Sequence, residues 1–401
     1  MKACGVALIL LAGTVFASAQ TAEQLRAMLD SNQDFALRSA AKQHRLPEFY
    51  RGMVEASENK LDPARRDLRR TIRSAPHSKD ALDAREALAN MALRNGLFRE
   101  ALDQIEAAHV EKPGSADVNN MLPLFRALAD SPNMKVVSRR DSRVNCSDGL
   151  SLTINGKQVS YGFDTGANLS LMGEADAKLL GLDVRHLDTK LSESSGTPVS
   201  GFSLAVAKDV VLGGLHLQNV PFFVLNDTGE PFNKIPVGGR GLIGLPVLIA
   251  MEAVRWDPAA GECQFGTGVR VKGPPTENLL FHGLTPIVQV SVNGKPLIFS
   301  LDTGAVDTDL NEGFAKALPD LVKAGQKETR AITGLGGSNN YDSVLLGPVV
   351  FRVGGLDVTL KSPHVFPAHS LGKFDGNMGN DILKQARAIT LDFRVMEMQL
   401  E

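Results

Sequence analysis

Two periodicities divide the chain. From Gln20 to about Pro132, apolar and small residues recur three and four apart, as at Ala64, Leu68 and Ile72, which predicts helices. Asp62-Pro63 reads as a cap followed by proline at the first helical position. Beyond Asp130-Ser131-Pro132-Asn133, which marks a boundary, the alternation becomes two-fold. Val159, Tyr161 and Phe163 form one such run, and Leu297, Phe299 and Leu301 another, each predicting a strand with one buried face. Asn155-Gly156 precedes the first run and Asn293-Gly294 the second; Asn-Gly is the strongest short hairpin signal, because both central residues of a type I′ turn need positive φ.

The β-rich part is a duplication. Phe163-Asp164-Thr165-Gly166-Ala167 returns as Leu301-Asp302-Thr303-Gly304-Ala305, with the aspartates 138 residues apart. Leu212-Gly213-Gly214-Leu215 matches Val353-Gly354-Gly355-Leu356, and Gly241-Leu242-Ile243-Gly244 matches Gly376-Asn377-Met378-Gly379. The last strands correspond as well, Trp256-Asp257 and Glu262-Cys263-Gln264 with Leu391-Asp392 and Glu397-Met398-Gln399. Gly266 to Pro275, with three glycines and two prolines, is an inter-lobe strand or linker.

This pattern resembles the retropepsin-like aspartic peptidases (clan AA), including their bacterial relatives, over roughly residues 140–265 and 280–400. One Asp-Thr-Gly is weak; two in matching strand contexts, each with its later glycine motif, are strong. The helical part carries its own echo, with Gly52, Ala64 and Pro76 recurring as Ala89, Ala101 and Pro113, and resembles tetratricopeptide helix pairs. Two units fall short of the three usual for a solenoid, so Glu23–Leu29 and Asn119–Leu128 are expected as flanking helices. Its readings are a groove for a protein partner or substrate, or a generic helical prodomain or spacer.

Peptide hydrolysis without a metal or covalent intermediate needs a base to deprotonate water and an acid to protonate the carbonyl oxygen. Two carboxylates about 3 Å apart supply both, because they cannot both ionise and so share one proton. Asp164 and Asp302 are the candidates, and acid and base stay unassigned, since the two apparent pKa values belong to the pair. Gly166 and Gly304 bring backbone close to the carboxylates. The resemblance implies that Thr165 and Thr303 hydrogen-bond across a pseudo-two-fold axis, that Gly241–Gly244 and Gly376–Gly379 pack beneath the loops, and that Gly334, Leu335, Gly336 and Gly337 form a flap tip. Ser194–Pro198, the matching region of the first lobe, lacks that signature. Ala167 and Ala305 stand where pepsin-like lobes usually carry a hydroxyl, so the pair's pKa values are expected to sit high, with a mildly acidic to near-neutral optimum.

Composition narrows the alternatives. With 401 residues, 43% apolar and 22% charged, the chain is long enough for several cored domains, and a net charge of −2 argues against nucleic-acid binding. Lys2, the apolar run Val6–Phe16 and Ala17-Ser18-Ala19 read as a signal peptide over residues 1–19, the alternative being an uncleaved anchor. Eleven apolar residues are too few to span roughly 30 Å of hydrocarbon, so export to a periplasmic or secreted location is expected, without a stable membrane span. Cys146 and Cys263 then remain, and an oxidising compartment makes them candidates for a disulfide. The eight histidines show no metal or triad spacing, Gly-x-Ser-x-Gly is absent, and Asp307 and Asp309 read as a solvated helix start rather than a cation site; no metal or other cofactor is called for. Trp256, at the repeat position of Leu391, reads as core.

The expected architecture is mainly β: a helical tetratricopeptide-like domain over 20–132, then two retropepsin-like β-barrel lobes over 138–266 and 278–401. The expected function is aspartic endopeptidase action on an extended polypeptide by a monomer that is its own pseudo-dimer. The alternatives are a catalytically silent peptide-binding module whose helices recruit a partner, and a dimer pairing lobes between chains.

Overall fold

The computed structural model describes residues 21–187, 201–229, 232–274, 276–334, 337–368 and 373–401. Its first part is helical: α1 (Ala22–Asp30), α2 (Asp34–Gln43), α3 (Glu48–Ser57), α4 (Leu61–Ser74), α5 (Lys79–Arg94), α6 (Phe98–Glu111) and α7 (Ala116–Ala129). α1 opens on a reciprocal cap, Thr21 Oγ1 accepting the Gln24 N–H at 3.2 Å and Gln24 Oε1 accepting the Thr21 N–H at 2.9 Å. α4 starts ahead of the expected Asp62 cap: Leu61 packs on the helical core, Lys60 is the N-cap, and Asp62 instead pairs with Arg65 at 3.4 Å. Pro63 then lies in the first turn, where its missing N–H has no intrahelical acceptor to lose. The small residues of the helical echo lie at helix contacts. Ala64, Ala89 and Ala101 are fully buried, and a Cβ on Gly52 of α3 would stand 2.7 Å from Leu68 of α4.

The rest folds into two curled half-barrel sheets joined by a third. Both Asn-Gly turns form, with φ of 48° and 80° at Asn155 and Gly156 and of 52° and 76° at Asn293 and Gly294. They connect strand Leu150–Ile154 to Lys157–Phe163, and Thr285–Val292 to Lys295–Leu301, each hairpin delivering an aspartate at its end. Tyr161, Phe299 and Leu301 are buried in the lobe cores, whereas Phe163 is half-buried and packs edge-on against the buried Trp256, their centroids 5.1 Å apart.

The joining sheet has five strands, three from the first half (Ser142–Asn145, Glu262–Phe265, Ala253–Asp257) and two from the second (Ile389–Asp392, Glu397–Leu400). At its centre Val254 pairs with Leu391 and Trp256 with Ile389. The sequence repeat maps Val254 onto Ile389 and Trp256 onto Leu391, so each pair is the image of the other and a pseudo-two-fold axis passes between them. One apolar core runs through both lobes. Cys146 and Cys263 are joined by a disulfide with Cα atoms 5.8 Å apart, beside the edge strand of this sheet. The segment after Gly266 carries no strand among its described residues and is pinned: Asp141 accepts from Thr267 and Gly268, Arg394 donates to Thr267 O at 3.0 Å, and Gln399 brackets Lys272.

The helices dock on both lobes. Ala89, Phe98, Phe125 and Leu128 share a core with Leu169, Phe202 and Leu204 of the first, and Phe35 packs with Leu280, Ile287 and Phe374 of the second. Arg94 is 2% exposed. It donates to Gly283 O and, at 2.7 Å, to Ala56 O, and its guanidinium lies 4.4 Å from the Phe281 ring centroid. Burial pulls its pKa down to about 9, so these carbonyls and the ring are what hold the charge there. Arg38 makes a second such tether, to Glu277 O and Leu279 O. No described helix is long and apolar enough to cross a membrane.

Candidate active site

Strands Lys157–Phe163 and Lys295–Leu301 run side by side with the short strands Gly241–Ile243 and Gly376–Met378, in parallel register. The ladder holds the start of each loop, with Asp164 N–H donating to Ile243 O at 2.9 Å and Asp302 N–H to Met378 O at 3.0 Å. Beyond them the chain turns, and the two Asp-Thr-Gly loops meet across the axis.

The threonines lock this meeting. Thr165 N–H donates to Thr303 Oγ1 at 3.0 Å and Thr303 N–H to Thr165 Oγ1 at 3.1 Å. Each hydroxyl then donates to the opposite lobe's backbone, Thr165 Oγ1 to Leu301 O at 2.8 Å and Thr303 Oγ1 to Phe163 O at 3.2 Å. Both side chains are buried, so the polar groups joined by these four hydrogen bonds are satisfied only while the lobes stay together.

The carboxyls face one another across Gly166 and Gly304. A Cβ on Gly166 would lie 2.8 Å from Asp302 Oδ1, and one on Gly304 would lie 2.5 Å from Asp164 Oδ2. No side chain fits there, which is why the motif needs glycine at both places. Gly166 N–H donates to Asp164 Oδ1 at 2.7 Å; Gly304 N–H and Ala305 N–H donate to Asp302 Oδ1 at 2.9 and 3.0 Å. Burial, and then the charge of Asp302, push the Asp164 carboxyl up to about 7. The two carboxyls, one from each lobe, lie within hydrogen-bonding reach of each other.

The supporting shell repeats in both halves. Gly244 N–H donates to Ser170 Oγ and Gly379 N–H to Thr308 Oγ1, each at 3.0 Å, while Leu245 N–H and Asn380 N–H donate to the carbonyls of Ala167 and Ala305. Ser170 and Thr308 each sit six residues past their aspartate, at the same repeat offset, a signal present in the sequence but not read from it. Asn380 Nδ2 adds bonds to Thr303 O and Ala305 O at 2.7 and 3.0 Å.

Gly334 and Gly337 pair at the end of a long, largely exposed hairpin, Gln326–Gly334 with Gly337–Leu345; Leu335 and Gly336 lie outside the described residues, as does Ser194–Pro198. Arg330 of this hairpin donates to Asp307 Oδ2 at 2.6 Å and meets His364. The solvated helix start expected at Asp307 and Asp309 is not what forms. The helix begins at Glu312; Asp309 opens a short strand beside Asn377 and His364, half-buried, its carboxyl pushed up to about 6 by burial against the pull of Arg330. Among the described residues no three His, Cys, Asp or Glu side chains are grouped to hold a metal ion.

No curated protein sequence matches the chain. A family model described as aspartyl protease matches residues 150–247, the stretch that carries the Asn-Gly hairpin, Asp164-Thr165-Gly166 and Gly241–Gly244, so the first lobe is similar to aspartyl proteases.

Proposed function

We propose that the protein is an aspartic endopeptidase whose dyad is Asp164 and Asp302, contributed by the two lobes of a single chain. The observation that carries this is the reciprocal threonine bonding that brings both loops to one point, with each carboxyl against the other lobe's glycine. In the first step water attacks the peptide carbonyl: the ionised carboxyl takes a proton from the water, the protonated one gives its proton to the carbonyl oxygen, and a gem-diol forms. In the second, the C–N bond breaks. The proton held by the first carboxyl goes to the leaving nitrogen, a gem-diol hydroxyl proton returns to the second, and the starting state is restored.

The substrate is an extended polypeptide, bound as an added strand beneath the hairpin that ends in the pair Gly334 and Gly337. The working form is a monomeric pseudo-dimer. The tetratricopeptide-like helices remain attached to it, supported by their buried tethers through Arg94 and Arg38, and are the part that takes a protein partner. The protein works after export, in the periplasm or outside the cell, which the residue 1–19 pattern and the Cys146–Cys263 bridge support.

The test is incubation of the purified protein with an unstructured polypeptide in H₂¹⁸O from pH 3 to 8. Internal cleavage with ¹⁸O in the new carboxyl termini, blocked by a statine-containing peptide, is the expected result. A folded protein that cleaves nothing at any pH, yet binds that peptide, would leave the silent binding module instead.

A further inference from the structure

The two halves of the dyad differ in one respect that the duplication does not require. Where the first lobe has Gly162 and Leu242 paired across parallel strands, the second has Ser300 and Asn377 in the same register. Asn377 Nδ2 donates to Asp302 Oδ2 at 3.2 Å. The Asn377 Oδ1 accepts the Ser300 hydroxyl at 2.6 Å, an arrangement that turns the amide's NH₂ toward the carboxyl; Ser300 Oγ also lies 3.3 Å from Gly376 O. Gly162 and Leu242 have no polar side-chain atom to offer Asp164.

The backbone adds to the difference. Asp302 Oδ1 takes two N–H groups, from Gly304 and Ala305. Asp164 takes the Gly166 N–H at Oδ1 and is approached by the Gly304 N–H; the Ala167 N–H bonds the Asp164 carbonyl at 3.4 Å, whereas the equivalent Ala305 N–H is shared between Asp302 Oδ1 and the Asp302 carbonyl, at 3.2 Å. A carboxylate only accepts hydrogen bonds, whereas a protonated carboxyl must also place a hydrogen. Asp302 thus has three donors, one of them shared, against two on Asp164, and the side-chain amide of Asn377 is the donor without a counterpart in the first lobe; it favours the charged form of the carboxyl it faces.

We infer that Asn377, oriented by Ser300, is a positioning residue that holds the pair's negative charge on Asp302 and its shared proton on Asp164. If the peptidase reading holds, on which this consequence rests, Asp302 is the base that takes the water proton and Asp164 the acid that protonates the carbonyl oxygen. The elevated pKa of Asp164 agrees with this placement. The charged groups that interact with Asp302 are Asp164 across the axis and Asp309 on the following strand; Asp309 in turn has Asp307, Arg330 and Asp381 about it, with Arg330 paired to Asp307, His364 to Glu328, and Asp381 bonded by Thr308. The side chains of Asn377 and Ser300 bond none of these groups but Asp302, so the replacement isolates the amide.

The test needs no substrate. In the full chain labelled with ¹³C at aspartate Cγ, an NMR titration reads both carboxyls, assigned by the resonance missing from Asp164→Asn or Asp302→Asn. The expected result is that Asp164 keeps the proton between the pair's two ionisations. Asn377→Leu, the first lobe's own residue, should raise the pair's first apparent pKa by about one pH unit, the worth of one hydrogen bond to a charged group. Ser300→Ala should move it the same way by less, and carries the test if Asn377→Leu does not fold. A proton found on Asp302, or a first ionisation unmoved in variants as stable as the parent, would overturn the inference. Titrations as expected in a protein that cleaves no peptide would uphold the proton placement and overturn the peptidase reading alone.

Discussion

Thr165 and Thr303 each spend their backbone N–H on the other's hydroxyl and their own hydroxyl on the other lobe's backbone, so the two loops are held as one unit. Thr165→Val keeps the shape but strands the buried Thr303 N–H and Leu301 carbonyl. It should cost about 1–3 kcal/mol in urea denaturation, and Thr165→Ser, which keeps the hydroxyl, clearly less. Because the dyad geometry rides on the same bonds, kcat should fall at least about tenfold in the valine variant.

Arg94 predicts the fate of the helical part. Its removal in Arg94→Met takes the guanidinium from the Gly283 carbonyl and from the Ala56 carbonyl, which keeps the Asn59 N–H, and should cost about 2–3 kcal/mol. Deleting residues 21–129 should uncover Leu169, Phe202, Leu280 and Phe281 together and give an aggregated product. A soluble, monomeric, active fragment on size-exclusion chromatography would mean that the helices are a removable spacer.

The elevated Asp164 carboxyl has a sign in stability as well as in rate. Its folded pKa, about 7, lies above the ordinary aspartate value of 3.8, so between these pH values the native state binds more protons and stability falls as pH rises. Asp164→Asn should therefore be more stable than the parent at pH 8, by about 1–2 kcal/mol, and indistinguishable from it at pH 3. The same ionisation should end activity on the alkaline side near pH 7. An optimum below about pH 3 would contradict this placement of the pair.

The Cys146–Cys263 bridge closes 117 residues of chain. Thiol titration of the unfolded, unreduced protein should find neither cysteine free, and Cys146→Ser with Cys263→Ser should lower stability by about 2–4 kcal/mol.

What the sequence revealed followed from duplication and turn chemistry. Asn155-Gly156 and Asn293-Gly294 declared their hairpins because few other residue pairs tolerate two positive φ values, and Asp-Thr-Gly was legible because it came twice. The docking of the helices was not legible: Arg94 and Arg38 look like ordinary surface residues until their acceptors in the second lobe, 189 or more positions away, are brought beside them. Asp309 was misread because two nearby carboxylates before a helical run look solvated, whereas strand pairing with Asn377 buries one of them. Asn377 itself stood in plain view as a polar residue in an otherwise apolar motif, but its meaning depends on facing Asp302, which only the parallel register establishes.

The central claim is that one chain supplies both halves of one dyad. Its most direct test is a mass-spectrometric cleavage assay of the wild type, Asp164→Asn, Asp302→Asn and an equimolar, co-refolded mixture of the two variants. Activity in the wild type, none in either variant and none in the mixture is the predicted result. Activity restored in the mixture would show that lobes from different chains combine, and activity surviving in either variant would show that the two aspartates do not form a single catalytic pair.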